Sequence, residues 1–158
     1  MEDALLIERS DQWAAGRRGD DIYLNASAVA FEGQALVFLG ASGSGKSTLA
    51  LSLMGFGAQL VSDDGVWLCA QGDDLIVERP PNAPALIEAR QLGLLPAGPI
   101  APQAHLCAAI DLDRAEPDRL PPRRRLRHGD RTVALLWCAQ QRHLAPALWQ
   151  ILRYGVPQ

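Results

Sequence analysis

The chain has 158 residues, 48% hydrophobic and 21% charged, with a formal net charge of -3. That suits one globular domain with a continuous core and is too short for a second catalytic domain. A mean hydropathy of -0.02 argues against a disordered or bilayer-embedded chain, and the acidic balance argues against nucleic-acid binding.

Cys69, Cys107 and Cys138 lack C-x-x-C spacing, and none pairs in spacing with His105, His128 or His143. Buried, reduced thiols in a cytoplasmic protein are expected, without structural zinc. The acids of "MEDALLIERSDQW" predict no export signal. No apolar run approaches the roughly twenty residues of a membrane span.

Residues 1–20 read as a variable arm or a first strand. Asp21 to Gly33, "DIYLNASAVAFEG", reads as a strand closed by a Glu-Gly turn. "QALVFLG", Gln34 to Gly40, is a continuous apolar run predicting a strand buried on both faces. "KSTLALSLMGFG" then places Leu49, Leu53 and Phe56 on one helical stripe ending at Gly55/Gly57. "AQLVSDDGVWLCAQGDDLIVERP" reads as three antiparallel strands in a meander. Ile87 to Leu95, "IEARQLGLL", falls in a stretch read as a short helix or extended loop. A Pro-rich crossing and the strand "HLCAAIDL" follow. The basic run Pro121 to Arg131 reads as a hairpin or loop flank rather than a phosphate-backbone binder. "LAPALWQILRYG" predicts a final docking helix, with Trp149 on a face that can meet a second subunit.

"GASGSGKS", Gly40 to Ser47, fits G-x-x-x-x-G-K-[ST] between a buried strand and a helix, so it predicts a phosphate-binding loop. Backbone amides of Gly40, Ala41, Ser42, Gly43, Ser44, Gly45 and Thr48 frame the phosphates. Lys46 reaches the beta and gamma phosphates, and the Ser47 hydroxyl ligates magnesium. Asp63 and Asp64 close the next apolar strand. Either they form a hairpin turn, or one serves as base while the other organises metal or water. The chain lacks an LSGGQ-like signature and an N-K-x-D motif, which sets aside transport ATPases and small GTPases.

These segments together resemble the catalytic domain of the HPr kinase/phosphorylase family, in its short proteobacterial form. The residues that carry the resemblance run from "ALVFLGASGSGKSTLALSLMGFGAQLVSDDGVWL" through "IEARQLGLL" to "AAIDLDRAEPDRLP". The resemblance implies one α/β domain over residues 1–158: a P-loop kinase domain with a mixed, partly antiparallel sheet, phosphoenolpyruvate carboxykinase-like. It implies an ATP- and Mg2+-dependent protein serine kinase that acts on a small protein, HPr if the chain follows the family. Lys46 and Arg90 would offset charge on the transferring group, Asp63 would take the acceptor proton, and Ser47, Asp64 and Glu88 would hold the metal. Without the family, Glu88 and Arg90 read as an ordinary exposed pair.

Asn25 stands where the family has a histidine; it can hydrogen-bond a phosphate but carries no proton, which argues against phosphorylase chemistry. Thr48 replaces an acid, Gln91 replaces the signature glycine, and a later family arginine has Arg131 as its nearest counterpart. Two alternatives follow: a kinase for another acceptor, such as a lasso-type precursor peptide, or a nucleotide-binding regulatory module. A homo-oligomer is implied, with neither nucleic-acid nor membrane partners.

Overall fold

The computed structural model describes residues 6–157. In chain order the elements are β1 (Leu6–Arg9), a 3-10 turn (Ser10–Trp13), β2 (Ala14–Arg18), β3 (Asp21–Leu24), β4 (Ser27–Phe31), β5 (Gln34–Leu39), α1 (Lys46–Phe56), β6 (Gln59–Ser62), β7 (Val66–Gln71), β8 (Asp74–Glu78), β9 (Leu86–Ala89), β10 (Gly93–Pro96), β11 (Gln103–Asp111), β12 (Arg124–His128), β13 (Arg131–Trp137) and α2 (Leu144–Tyr154).

β5 from Ala35 onward and β11 from Ala108 onward are buried on both faces, as strands at the centre of a sheet are. β5 pairs parallel with β11, and β11 pairs parallel with β13. Leu39 and Trp137 both lie beside Asp111 in register, so the three strands end together at one edge. Antiparallel strands β8, β7, β3 and β2 continue the sheet from the start of β11, while β4 joins β5 to β6. The outermost strands, β1 and β2, are joined by the 3-10 turn, which requires the sheet to curl.

Side chains alternate across β5. Val37 and Leu39 enter a core with Val61, Leu68 and Leu135, while Leu36 and Phe38 face Leu53, Leu148 and Leu152 of the two helices. Leu53 is wholly buried there, and truncating it to alanine would cost about 3 kcal/mol. Phe56 departs from its expected stripe. It is half exposed and stacks on Trp149, which Phe31 meets edge-on, so Trp149 is taken up within its own chain. Among the described residues no helix is long and apolar enough to cross a membrane.

Three local expectations change. Asp21 to Gly33 is two strands broken at Asn25–Ala26, because β3 pairs with β7 whereas β4 pairs with β5 and β6. β6 and β7 do not form a hairpin; they join different neighbours, so Asp63–Asp64–Gly65 is a crossing between sheet regions. Ile87 to Leu95 forms the β9–β10 hairpin, with Gln91 at φ 70 near its tip. This left-handed backbone gives a physical reason for glycine in the family signature. The Glu32–Gly33 turn, the β7–β8 and β12–β13 hairpins, and α2 follow the sequence reading.

Candidate functional site at the strand ends

The loop from Gly40 to Gly45 leaves β5 at the common edge of the parallel strands and turns directly into α1. Gly40 has φ 153, and a Cβ there would lie 2.5 Å from Ser44 Oγ, so the turn needs glycine. The Ser44 amide donates to the Ala41 carbonyl at 3.0 Å. Gly45 caps α1 without a side-chain hydrogen bond. The first-turn amides, including those of Lys46, Ser47 and Thr48, can therefore meet an anion. Ser42 and Gly43 form the exposed loop crest.

Lys46 Nζ folds back onto the loop, donating to the Gly40 carbonyl at 2.5 Å and the Ala41 carbonyl at 3.4 Å. The next side chain points to the aspartate crossing, where Ser47 Oγ donates to Asp63 Oδ1 at 2.7 Å. Ser27 Oγ, at the start of β4, donates to the same oxygen at 2.6 Å. The Glu88 amide approaches Asp63 Oδ2 at 3.3 Å. Three separate segments thus converge on one carboxylate. Sequence reasoning missed Ser27, which lies among small residues in an apolar strand and has no spacing signal.

Asp64 adjoins Asp63 but is exposed and adopts φ 64. A left-handed aspartate is tolerated because its short polar side chain bonds locally. Gly65 completes the crossing, since a Cβ there would collide with the Tyr23 hydroxyl. The Glu88 side chain is exposed, and Arg90 stands exposed at the hairpin tip with no ion pair among the described residues. Asn25 is exposed in the β3–β4 link and makes no side-chain hydrogen bond among the described residues. The structure therefore brings together Lys46, Ser47, Asp63 and the Glu88 backbone, and leaves Asn25 and Arg90 without a direct contact to them.

Arg131 is tied to the other end of the sheet. It donates to the Gly72 carbonyl at 2.9 and 2.6 Å and pairs with Asp73 at 3.2 Å. It opens β13, whereas the loop sits where the parallel strands end, so Arg131 lies away from the loop.

The end of β11 carries a second polar cluster, to which the resemblance assigns no role. Asp111, 2% exposed, accepts Arg114 Nε at 2.7 Å, and Arg114 Nη2 reaches Glu8 at 2.9 Å. Burial works against the Arg114 charge, but these carboxylates outweigh it and raise its pKa. Asp113 stands beside the loop, accepting the Ala41 N–H.

Among the described residues, no three His, Cys, Asp or Glu side chains gather as a metal cage. Magnesium does not need one, because it is commonly held by one or two protein oxygens together with phosphates and water. Ser47 Oγ beside the phosphate loop is one such oxygen, and Asp64 and Glu88 belong to the two segments that meet at Asp63.

No family model matches the chain. Over 64 residues it is 45% identical to the HPr kinase/phosphorylases of Cupriavidus necator, Cupriavidus metallidurans and Ralstonia pickettii, covering 40% of this chain and 20% of each relative. The match spans about a fifth of the length of those curated relatives. The HPr(Ser) kinase/phosphatase from Coxiella burnetii superposes with a TM-score of 0.66 at 22% identity, over 83% of this chain and 93% of that one. That likeness shows the fold, an α/β domain with a mixed, partly antiparallel sheet.

Proposed function

Because the chain is a divergent relative of the HPr kinase/phosphorylases, we propose that residues 1–158 form one catalytic domain. This domain transfers the gamma phosphate of ATP to a serine hydroxyl of a small protein. The observation that carries this reading is the Ser47–Asp63 hydrogen bond, which joins the phosphate loop to the aspartate crossing.

Lys46 exchanges its loop carbonyls for the beta and gamma phosphates, and the loop amides other than that of Ala41, which Asp113 accepts, hold the phosphate oxygens. Ser47, Asp64 and Glu88 would hold magnesium, which supplies positive charge against the phosphate oxygens when bound. Asp63 is anchored through Oδ1 by two hydroxyls, and among the described residues Oδ2 faces only the long contact from the Glu88 amide. Oδ2 takes the proton as the acceptor oxygen bonds to the gamma phosphorus and the bond to the departing ADP oxygen breaks. Arg90, free at its hairpin tip, swings toward the transferring group.

Asn25 cannot supply a proton, so transfer in the forward direction is favoured over phosphorylase chemistry. HPr is the acceptor if the family relation extends to the partner; a lasso-type precursor peptide is the alternative. A cytoplasmic homo-oligomer belongs to the same reading. The second reading, a nucleotide-binding regulatory module, draws on Asn25, Thr48 and Gln91.

Gamma-labelled ATP incubated with the chain and HPr tests the proposal. Serine-bound label that falls about a hundredfold in Asp63→Asn is expected. Label on another serine protein but not HPr would replace the acceptor, and binding of magnesium-ATP without transfer to any candidate would leave the regulatory module.

A further inference from the structure

Asp113 carries none of the roles assigned above, yet it touches the phosphate loop directly. Both carboxylate oxygens accept the Ala41 N–H, Oδ1 at 3.1 Å and Oδ2 at 3.0 Å. The start of the loop is thus gripped from two sides, because Lys46 Nζ holds the Gly40 and Ala41 carbonyls. In the proposed reaction the lysine must let go to reach phosphate, whereas nothing requires the carboxylate to move.

Asp113 is itself well fixed. Its amide donates to Asp111 Oδ1 at 2.8 Å, and Asp111 is held by Arg114. The Leu112 amide donates to the Leu39 carbonyl at 2.8 Å, which stitches the end of β11 to the last residue before the loop. A chain of contacts therefore runs from Glu8 through Arg114 and Asp111 to Asp113 and the Ala41 amide.

We infer that Asp113 is a positioning residue that holds the Ala41 amide, so that the loop keeps its shape when Lys46 turns to the phosphates. This rests on the kinase reading. A negative charge beside a triphosphate is unfavourable in itself, so the contribution of Asp113 is the placement of an acceptor oxygen and not its charge. Asparagine keeps that oxygen; glutamate keeps the charge but displaces it by one methylene.

Titration calorimetry of the full chain with magnesium-ATP, paired with kinase assays, tests the inference. Asp113→Ala weakens nucleotide binding about tenfold, Asp113→Glu does the same, and Asp113→Asn stays within about twofold of the parent. KM for ATP follows these shifts while kcat holds. Asparagine as damaging as alanine, or alanine indistinguishable from the parent, overturns the inference. If Asp113→Ala fails to fold, the Asn and Glu variants decide alone. A parent chain that does not bind magnesium-ATP overturns the kinase reading and this inference with it; a binding parent with indifferent Asp113 variants overturns this inference alone.

Discussion

The two ends of the parallel strands β5, β11 and β13 differ in a way that separates concavity from chemistry. At their starting end lie two hollows of about 290 and 410 Å³, lined by residues such as Glu32, Gly33, Gln103, Asp74 and His105. His105 and Asp74 pair there at 3.3 Å, both half exposed. At the finishing end Lys46, Ser47, Asp63 and Asp113 converge on one loop through hydrogen bonds between distant segments. Ligands of open α/β sheets bind beyond the carboxyl ends of the strands, where loops and helix N-termini face outward. Hollow volume and converging polar groups therefore point to opposite ends.

The sharpest way to break this contrast is Lys46→Met. Loss of about three orders of magnitude in phosphoryl transfer is expected, with the thermal midpoint little changed, because the ammonium is asked to stabilise charge rather than to hold the fold. Unchanged transfer would move the chemistry away from the loop. Arg131→Ala probes the opposite end. Losing its hydrogen bonds to Gly72 should cost about 1 kcal/mol in urea unfolding and leave kcat within about twofold. A large fall in kcat would restore Arg131 as a site residue.

The smallest effect is one of pH. Burial raises the thiol pKa of Cys69 to about 12, and those of Cys107 and Cys138 to about 11. The folded chain thus keeps its thiols protonated where the unfolded chain ionises them. Their contribution is fully present below the ordinary thiol value and is lost as pH rises through that value toward the folded ones. In reducing buffer the urea midpoint should fall between about pH 8 and about pH 10, and fall less in Cys69→Ala.

Much of the finishing end was legible in the sequence because its signals are local. An apolar run, a glycine pattern and a helical stripe are contiguous, so β5, the loop and α1 could be placed from neighbours alone. The Asp63–Asp64 crossing was half legible: the letters were visible, but turn and site could not be separated until β6 and β7 were seen to pair with different strands. Pairing partners far apart in the chain also hid the break at Asn25–Ala26. Ile87 to Leu95 was too short for a period to separate hairpin from helix. Ser27 had no legible signal, and Asp113 fell in a segment of the family resemblance that assigned it no role, since an acid at a strand end and a serine among alanines acquire meaning only from what folds beside them.

The central claim is that the nucleotide sits at the finishing end of the parallel strands. A crystal structure with magnesium and a non-hydrolysable ATP analogue tests it most directly. The triphosphate should lie in the Gly40–Thr48 loop, with Lys46 Nζ moved from the Gly40 carbonyl to phosphate and Asp113 still on the Ala41 amide. A triphosphate in the hollows near Glu32 or His105, or a loop left empty at saturating nucleotide, would contradict it.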